Sequence, residues 1–255
     1  MYYCNARWYD AELGRFVSED PARDGVNWYG YCGNNPWKYL DPDGLTTIIN
    51  ESNNTVQDVQ FDGSTAIFAF PFSETGERLE GPAQYIGNSM YQDSFLSPDT
   101  GKPVGIIYPG ESIDEKMSEL YSKAGEMGYV KTWIESRSGG KLDIKNQLPG
   151  HEGKSYHGFL YQGFYISLRE AGNILAGQNA AQFEMNFDDF QKGAGALQQA
   201  GLKGVAKYLI TGKTYGSAPY YGENKYQYRS SLTGYYHVIN ETFNPVLDSE
   251  MSPLN

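Results

Sequence analysis

Residues 164–183 read FYISLREAGNILAGQNAAQF, and the architecture expected of the chain follows from this stretch. It is long, free of proline and rich in small residues, and it predicts a helix. Gly172, Ala176 and Ala180 recur at i, i+4 and i+8, so one face is expected to pack very closely against a neighbour. Glycine costs about 1 kcal/mol of helix propensity relative to alanine, so Gly172, Gly177, Gly193 and Gly195 are tolerated where backbones or a ligand must approach. Further helices are predicted at 187–200 and 202–211. Upstream, Ser112 and Glu115 form a capping box, Ile113, Met117, Leu120 and Ala124 share a face, and Gly128 is the stop.

Around these helices the pattern turns to short strands. STAIFAFPF at 64–72 is apolar and β-prone, with Pro71 at an edge or an end. Residues 104–108 and 129–134 read as strands, and 141–145 (KLDIK) as a short strand with Lys141, Asp143 and Lys145 on one face. Residues 46–62 are polar, Asn-rich and aperiodic, as expected of a linker, and 219–244 is Tyr-rich and mixed. With 22 Tyr, 30 Gly and 12 Pro the chain is not a helical bundle. The fold class expected is α+β: a short β segment, then a mixed domain with small-residue-rich helices and a few short strands.

Both cysteines, Cys4 and Cys32, precede residue 45, which excludes a zinc-thiolate site or a disulfide framework further on. No metal or cofactor is expected. The net charge is −11, and residues 46–255 carry 16 Lys/Arg against 24 Asp/Glu. That balance counts against a non-specific nucleic-acid binder, although a cleft can be locally basic. No signal-peptide pattern follows Met1, and no run approaches the 18 or so apolar residues of a membrane span.

The first 45 residues contain YYCNARWYDAELGRFVSEDP (2–21) and NWYGYCGNNPWKYLDPDGL (27–45). This segment resembles the C-terminal end of the core domain of Rhs (YD-repeat) proteins. The resemblance implies a β-shell closing segment at 1–45, a linker at 46–62 and a toxin domain at 63–255. It also implies self-cleavage after Leu45, with Asp20 and Asp41 as the catalytic pair. Two close carboxylates cannot both ionise, so one holds a proton as acid while the other acts as base; as Asp-Pro residues both equally suit turns. Met1 interrupts a longer family pattern, so a fragment or displaced cassette is expected.

Three blocks further on carry a second resemblance. KLDIK (141–145), SLREAG (167–172) followed by FQKGAGALQQ (190–199), and YGENKYQYRSSLTGYY (221–236) are similar to the bacterial polymorphic toxin type 44 family. The family pattern falls on Asp143, Lys145, Arg169 to Gly172, Gly193 to Gly195, Arg229 and Gly234. Members often carry Asn or His just before the Arg-Ala-Gly helix, where this chain has Gln162-Gly163-Phe164. The resemblance implies a ribonuclease.

The residues themselves allow the same chemistry. A metal-independent ribonuclease needs a base for the 2′-hydroxyl, an acid for the leaving oxygen, and cations for the developing charge. His157 and His237 are the acid/base candidates, Lys145, Arg169 and Arg229 the cations, and Asp143 an orienting carboxylate. Lys141, Asn173 and Glu223 are candidate substrate contacts. His151, within PGHEGK, reads as a solvated loop residue. Plain roles stand beside these: a salt-bridged strand face for Asp143, and a charged helix face for Arg169-Glu170. A cell-wall hydrolase acting on peptidoglycan in the periplasm is the alternative, with Glu170, Asp188 and Glu223 as carboxylates. A non-enzymatic interaction or pore-forming domain is the third reading, and the short apolar runs argue against a pore. The expected partners are an Rhs shell, a cognate immunity protein and RNA (or peptidoglycan), with action in the cytoplasm of a rival cell favoured over its periplasm.

Overall fold

The computed structural model describes residues 2–4, 7–10, 13, 15–18, 46–60 and 65–248. Asp20, Asp41 and Leu45, the residues of the expected self-cleavage, lie outside the described residues. The chain divides into two compact units, 1–103 and 104–255. The fold is α+β, as the sequence predicts.

In the first unit, β1 (Tyr2–Cys4), β2 (Arg7–Asp10) and β3 (Arg15–Phe16) form an antiparallel sheet. A second sheet has the order β5-β4-β6-β7, from β4 (Thr46–Asn50), β5 (Val56–Val59), β6 (Ala66–Phe70) and β7 (Gln84–Asn88). The stretch read as linker therefore supplies two strands. Its signal is short but physical: Thr-Thr-Ile-Ile is β-branched throughout, and Val56 and Val59 are buried while Gln57 and Asp58 are not. A register shift between Ile48 and Ile49 breaks the alternation that would have marked the strand. β6 lies between β4 and β7, and Pro71 follows its last residue, so the proline ends the strand.

The second unit carries a three-stranded sheet of order β10-β9-β8, from β8 (Ile106–Ser112), β9 (His157–Tyr161) and β10 (Phe164–Ser167). β8 and β9 are parallel, and β9 and β10 form a hairpin. Its two-residue turn, Gln162-Gly163, has φ of 50° and 85°, as a primed turn requires. Asp114 braces it, accepting from the Gln162 backbone N–H at 3.0 Å and side-chain amide at 2.9 Å. Residues 164–167 are thus a strand, and the helix expected from 164 begins four residues later.

That helix, α3 (Leu168–Gln182), starts at a capping box formed by Ser167 and Glu170. Before it come α1 (Asp114–Met127) and α2 (Tyr129–Glu135); after it come α4 (Phe187–Thr211) and α5 (Lys225–Asn240). α1 buries Met117, Leu120 and Ala124, the predicted stripe, but Ile113 is its N-cap and no side chain caps it. Ser112 instead bonds Asp114. α2 replaces the strand expected at 129–134. Its β-branched and aromatic residues are overruled by packing: Thr132 donates to the Ala124 carbonyl at 2.9 Å, and a Cβ at Gly193 would come within 2.6 Å of the Trp133 ring. Residues 141–145 are not a strand either, but a turn leading into a 3-10 turn at Ile144–Asn146. α4 bends sharply at Gly201 (φ 61°), which divides it at the predicted place. No helix of the described residues is long and apolar enough to cross a membrane.

The closest packing is between α3 and α5. A Cβ at Gly177 would lie 1.8 Å from the Ser231 carbonyl oxygen, and one at Gly234 would lie 2.0 Å from that of Ile174. The expected stripe is therefore displaced: Gly172 meets nothing within 4 Å. Gly177→Ala and Gly234→Ala should each destabilise the full chain by about 3 kcal/mol or more, since backbone cannot yield as a side chain does. Gly172→Ala should instead gain up to about 1 kcal/mol of helix propensity. Urea unfolding midpoints check both; equal effects at the three positions would contradict this packing.

Candidate functional site

The loop 147–156 leaves the 3-10 turn and enters β9, and it brings two histidines into contact. His151 Nδ1 and His157 Nδ1 are 2.7 Å apart, and the Tyr108 hydroxyl is 3.3 Å from His157 Nδ1. Tyr108 stacks on Phe159 at 4.9 Å and meets His151 edge-on at 4.8 Å, so an aromatic wall from β8 and β9 holds both imidazoles. The loop is closed by backbone bonds from Lys154 N–H to the His151 carbonyl and from His157 N–H to that of Lys154. Both histidines are half-buried. Burial holds the His157 pKa below the ordinary histidine value, with His151 and Lys154 adding to the effect.

A contact between two Nδ1 atoms admits one proton, so one ring donates and the other accepts. One arrangement satisfies all three groups: His151 Nδ1–H and the Tyr108 hydroxyl both donate to His157 Nδ1. In that arrangement the two rings are opposite tautomers: His151 keeps a lone pair on Nε2, and His157 keeps an N–H there. Among the described residues neither Nε2 has a hydrogen-bond partner. The reading of His151 as a solvated loop residue is corrected. Its signal was its spacing: two of the chain's three histidines lie six residues apart.

The cations gather beside this loop. The Arg169 backbone N–H donates to the Ser155 carbonyl at 2.8 Å, and its guanidinium donates to the Tyr156 hydroxyl at 2.8 Å. Arg169 and Arg229 lie 5.6 Å and 5.7 Å from the ring centre of Tyr226, so the structure brings these two predicted arginines around one tyrosine. Arg229 is buried and bonds Asp248 at 2.9 Å, and Lys225 also pairs with Asp248. The Asn173 side-chain amide donates to the Arg169 carbonyl on its own helix at 3.0 Å.

The remaining predicted residues sit elsewhere. Asp143, expected to orient a lysine or a histidine, has Lys145 at 3.9 Å and no histidine contact among the described residues; its carboxylate accepts from Gly139 N–H at 2.8 Å and Asn146 Nδ2 at 2.7 Å, pinning the turn. Asp143 is buried and Lys141 exposed, so the expected shared face is absent. Lys145 joins the histidine loop through its carbonyl, which accepts from Gly153 N–H at 3.2 Å. His237 belongs to a separate group: Gln178 Nε2 donates to its Nδ1 and to the Tyr161 hydroxyl, both at 2.9 Å. Burial lowers the His237 pKa and pushes Tyr161 up to about 12. Its position among Tyr161, Gln178 and Phe243 separates His237 from the histidine pair.

Glu223 is a third place. Gln191, fully buried, donates to its carboxylate at 2.6 Å, and desolvation pushes Glu223 up to about 7 despite that bond. Nearby Tyr221 donates to Asp188 at 2.7 Å. Burial raises Asp188, but hydrogen bonds from Lys192 and Tyr221 outweigh it and leave its pKa below the usual value. Glu170 is committed to capping α3. Among the described residues no group of three or more His, Cys, Asp or Glu side chains is placed to hold a metal ion.

Comparison with known proteins gives short matches. Over 50 residues, 19% of its length, the chain is 42% identical to the toxin subunit YenC2 of Yersinia entomophaga, covering 5% of that protein. Over 48 residues it is 43% identical to salivary gland surface protein 1 of Aedes aegypti, covering 1% of that protein. The chain thus spans a small fraction of both relatives. No family model matches it, and no solved structure matches it significantly. Each likeness, to a toxin subunit and to a surface protein, runs along 19% of the chain.

Glu223 offers a direct test of the electrostatics. Its native pKa stands above the unfolded value, so its favourable contribution is fully present below about 4.5 and is lost as pH rises through about 7. Glu223→Gln should therefore gain stability relative to the unaltered chain as pH rises through that range. Urea midpoints at about pH 5 and about pH 9 read the difference, and the lowered histidines cancel because both proteins contain them. A gap independent of pH would contradict the desolvated carboxyl.

Proposed function

We propose that the chain is the end of an Rhs toxin whose second unit is a metal-independent ribonuclease of the type 44 kind, acting in the cytoplasm of a competitor cell. Release follows cleavage after Leu45 by Asp20 and Asp41, and a cognate immunity protein protects the producer. The observation that carries the catalytic reading is the Nδ1-to-Nδ1 contact of His151 and His157. Opposite tautomers present one lone pair and one N–H on the two outward Nε2 atoms. His151 Nε2 takes the 2′-hydroxyl proton as the oxygen attacks phosphorus. The proton on His151 Nδ1 crosses to His157 Nδ1, and His157 Nε2 gives its proton to the departing 5′-oxygen. The pair ends neutral with its tautomers exchanged, so no imidazolium needs to form in a half-buried site. Lys154, Lys145 and Arg169 border the loop and supply positive charge for the phosphorane.

A second reading, a periplasmic cell-wall hydrolase, rests on Glu223 and Asp188. One carboxyl held near neutrality and one kept ionised are the acid and base that glycoside hydrolysis needs.

Expression of the full chain in bacteria, with and without an export signal, separates the readings. Cytoplasmic killing with degraded RNA is expected, and His151→Ala and His157→Ala should each slow RNA cleavage by about 100-fold or more. Asp143→Ala should act through stability alone. Killing that requires export, leaves RNA intact and is abolished by Glu223→Gln would replace the ribonuclease reading with the wall hydrolase.

A further inference from the structure

The second arm of α4, residues 202–211, carries an apolar stripe that faces solvent. Leu202, Val205, Ala206, Leu209 and Ile210 fall at i, i+3, i+4, i+7 and i+8, the spacing of a helix face that ordinarily packs into a core. Here Leu209 is 72% and Ile210 84% exposed, Leu202 is exposed at 38%, and Gly204 is the arm's buried residue. The bend at Gly201 accounts for this inversion. It folds the arm back so that a Cβ on Gly204 would be 2.3 Å from the Ala196 carbonyl, leaving the bare glycine side inward and the aliphatic side outward.

The charge around the stripe is one-sided. From Phe190 to Gly222 the chain holds Lys192, Lys203, Lys207 and Lys213 and no acidic residue, within a protein of net charge −11. At about 100° per residue Lys203 and Lys207 line one edge of the stripe, next to Ile210, and Lys213 follows its end. All three are exposed. The acids that act electrostatically on Tyr208 of this arm, Asp188 and Asp189, are both ion-paired with Lys192 at 2.6 Å and 3.0 Å. An exposed aliphatic face edged by lysines that have no ion-pair partner among the described residues, on an otherwise acidic protein, is complementary to an apolar layer under an anionic surface.

We propose that this arm docks the protein on an anionic lipid surface. Leu202, Leu209 and Ile210 enter the boundary between headgroups and acyl chains, and Lys203, Lys207 and Lys213 meet lipid phosphates. The acidic remainder of the chain is repelled from the same surface, which orients the protein with this arm toward it. An RNA backbone would satisfy the lysines and leave the aliphatic stripe unused. The docking is independent of which bond the domain cleaves, so loss of nuclease activity would leave it standing.

Co-sedimentation of the full chain with two kinds of vesicle tests it: phosphatidylcholine alone, and phosphatidylcholine mixed equally with phosphatidylglycerol. The protein should pellet with the mixed vesicles and stay in solution with the neutral ones. The paired change Leu209→Asp with Ile210→Asp, and separately Lys203→Glu with Lys207→Glu, should each weaken binding about tenfold or more. All four side chains are exposed, so these variants should keep the fold, which circular dichroism confirms. No pelleting with either vesicle overturns the proposal, as does equal pelleting with both, or pelleting that the Leu209/Ile210 variant retains. A dimer in solution that this variant converts to a monomer, with no vesicle binding, would assign the stripe to a second copy of the chain instead.

Discussion

The contact on which the second unit depends is backbone against backbone, where α3 and α5 meet at Gly177 and Gly234. Each glycine leaves room for a carbonyl of the other helix, so the axes approach more closely than any side chain would allow. Everything placed on these helices inherits that spacing. Near their starts, Arg169 and Arg229 reach the same tyrosine ring. Toward their ends, Gln178 meets His237. Widening the pair by one methyl group would separate both sets at once, so two polar clusters far apart along the helices share one steric cause.

The histidine pair depends on the other half of the unit. β8 and β9 run parallel, which brings Tyr108 and Phe159 side by side, and these rings form the wall for His151 and His157. The hairpin turn at Gln162-Gly163 then returns the chain to Ser167, whose capping box starts α3 and puts Arg169 against Ser155 and Tyr156. The order β9, hairpin, α3 thus ties loop, cation and glycine contact together within some thirty residues. Asp143 supports this assembly from below by holding the turn that launches the loop, a structural duty that suits a buried carboxylate bonded by a backbone N–H and an amide.

Legibility in the sequence followed the range of the signal. The stripe of α1 and the break in α4 at Gly201 were readable because helix periodicity and glycine conformation act within a few residues. The capping box at Ser167 was equally local, yet the reading placed it at Ser112, where Asp114 takes the serine hydroxyl. Strands failed at 129–134 because propensity was overruled by Trp133 packing on Gly193, and at 141–145 because Asp143 binds its own loop. Among candidate site residues, His157 was named for its residue type, and Arg169 and Arg229 for their place in the family pattern. Tyr108 and Tyr156 left no trace, and Tyr226 stood out only as one of the Tyr-rich stretch 219–244, since nothing local distinguishes a tyrosine that will face a histidine or an arginine.

Residue chemistry and short-range pattern alone determined the α+β class, the helices α1, α3 and α4 though not α2 or α5, the thiol-free second unit, the acidic charge and the basic stretch without acids from Phe190 to Gly222. Tertiary structure decided which glycine faced a backbone and which faced solvent, that His151 would join His157 while His237 would not, and that the stripe on the second arm of α4 would point outward. The physical reason is the same in each case. Periodicity states that a helix has two faces, but only the elements packed beside it determine which face is covered, and a proton shared between rings six residues apart needs a strand and a loop to close the distance.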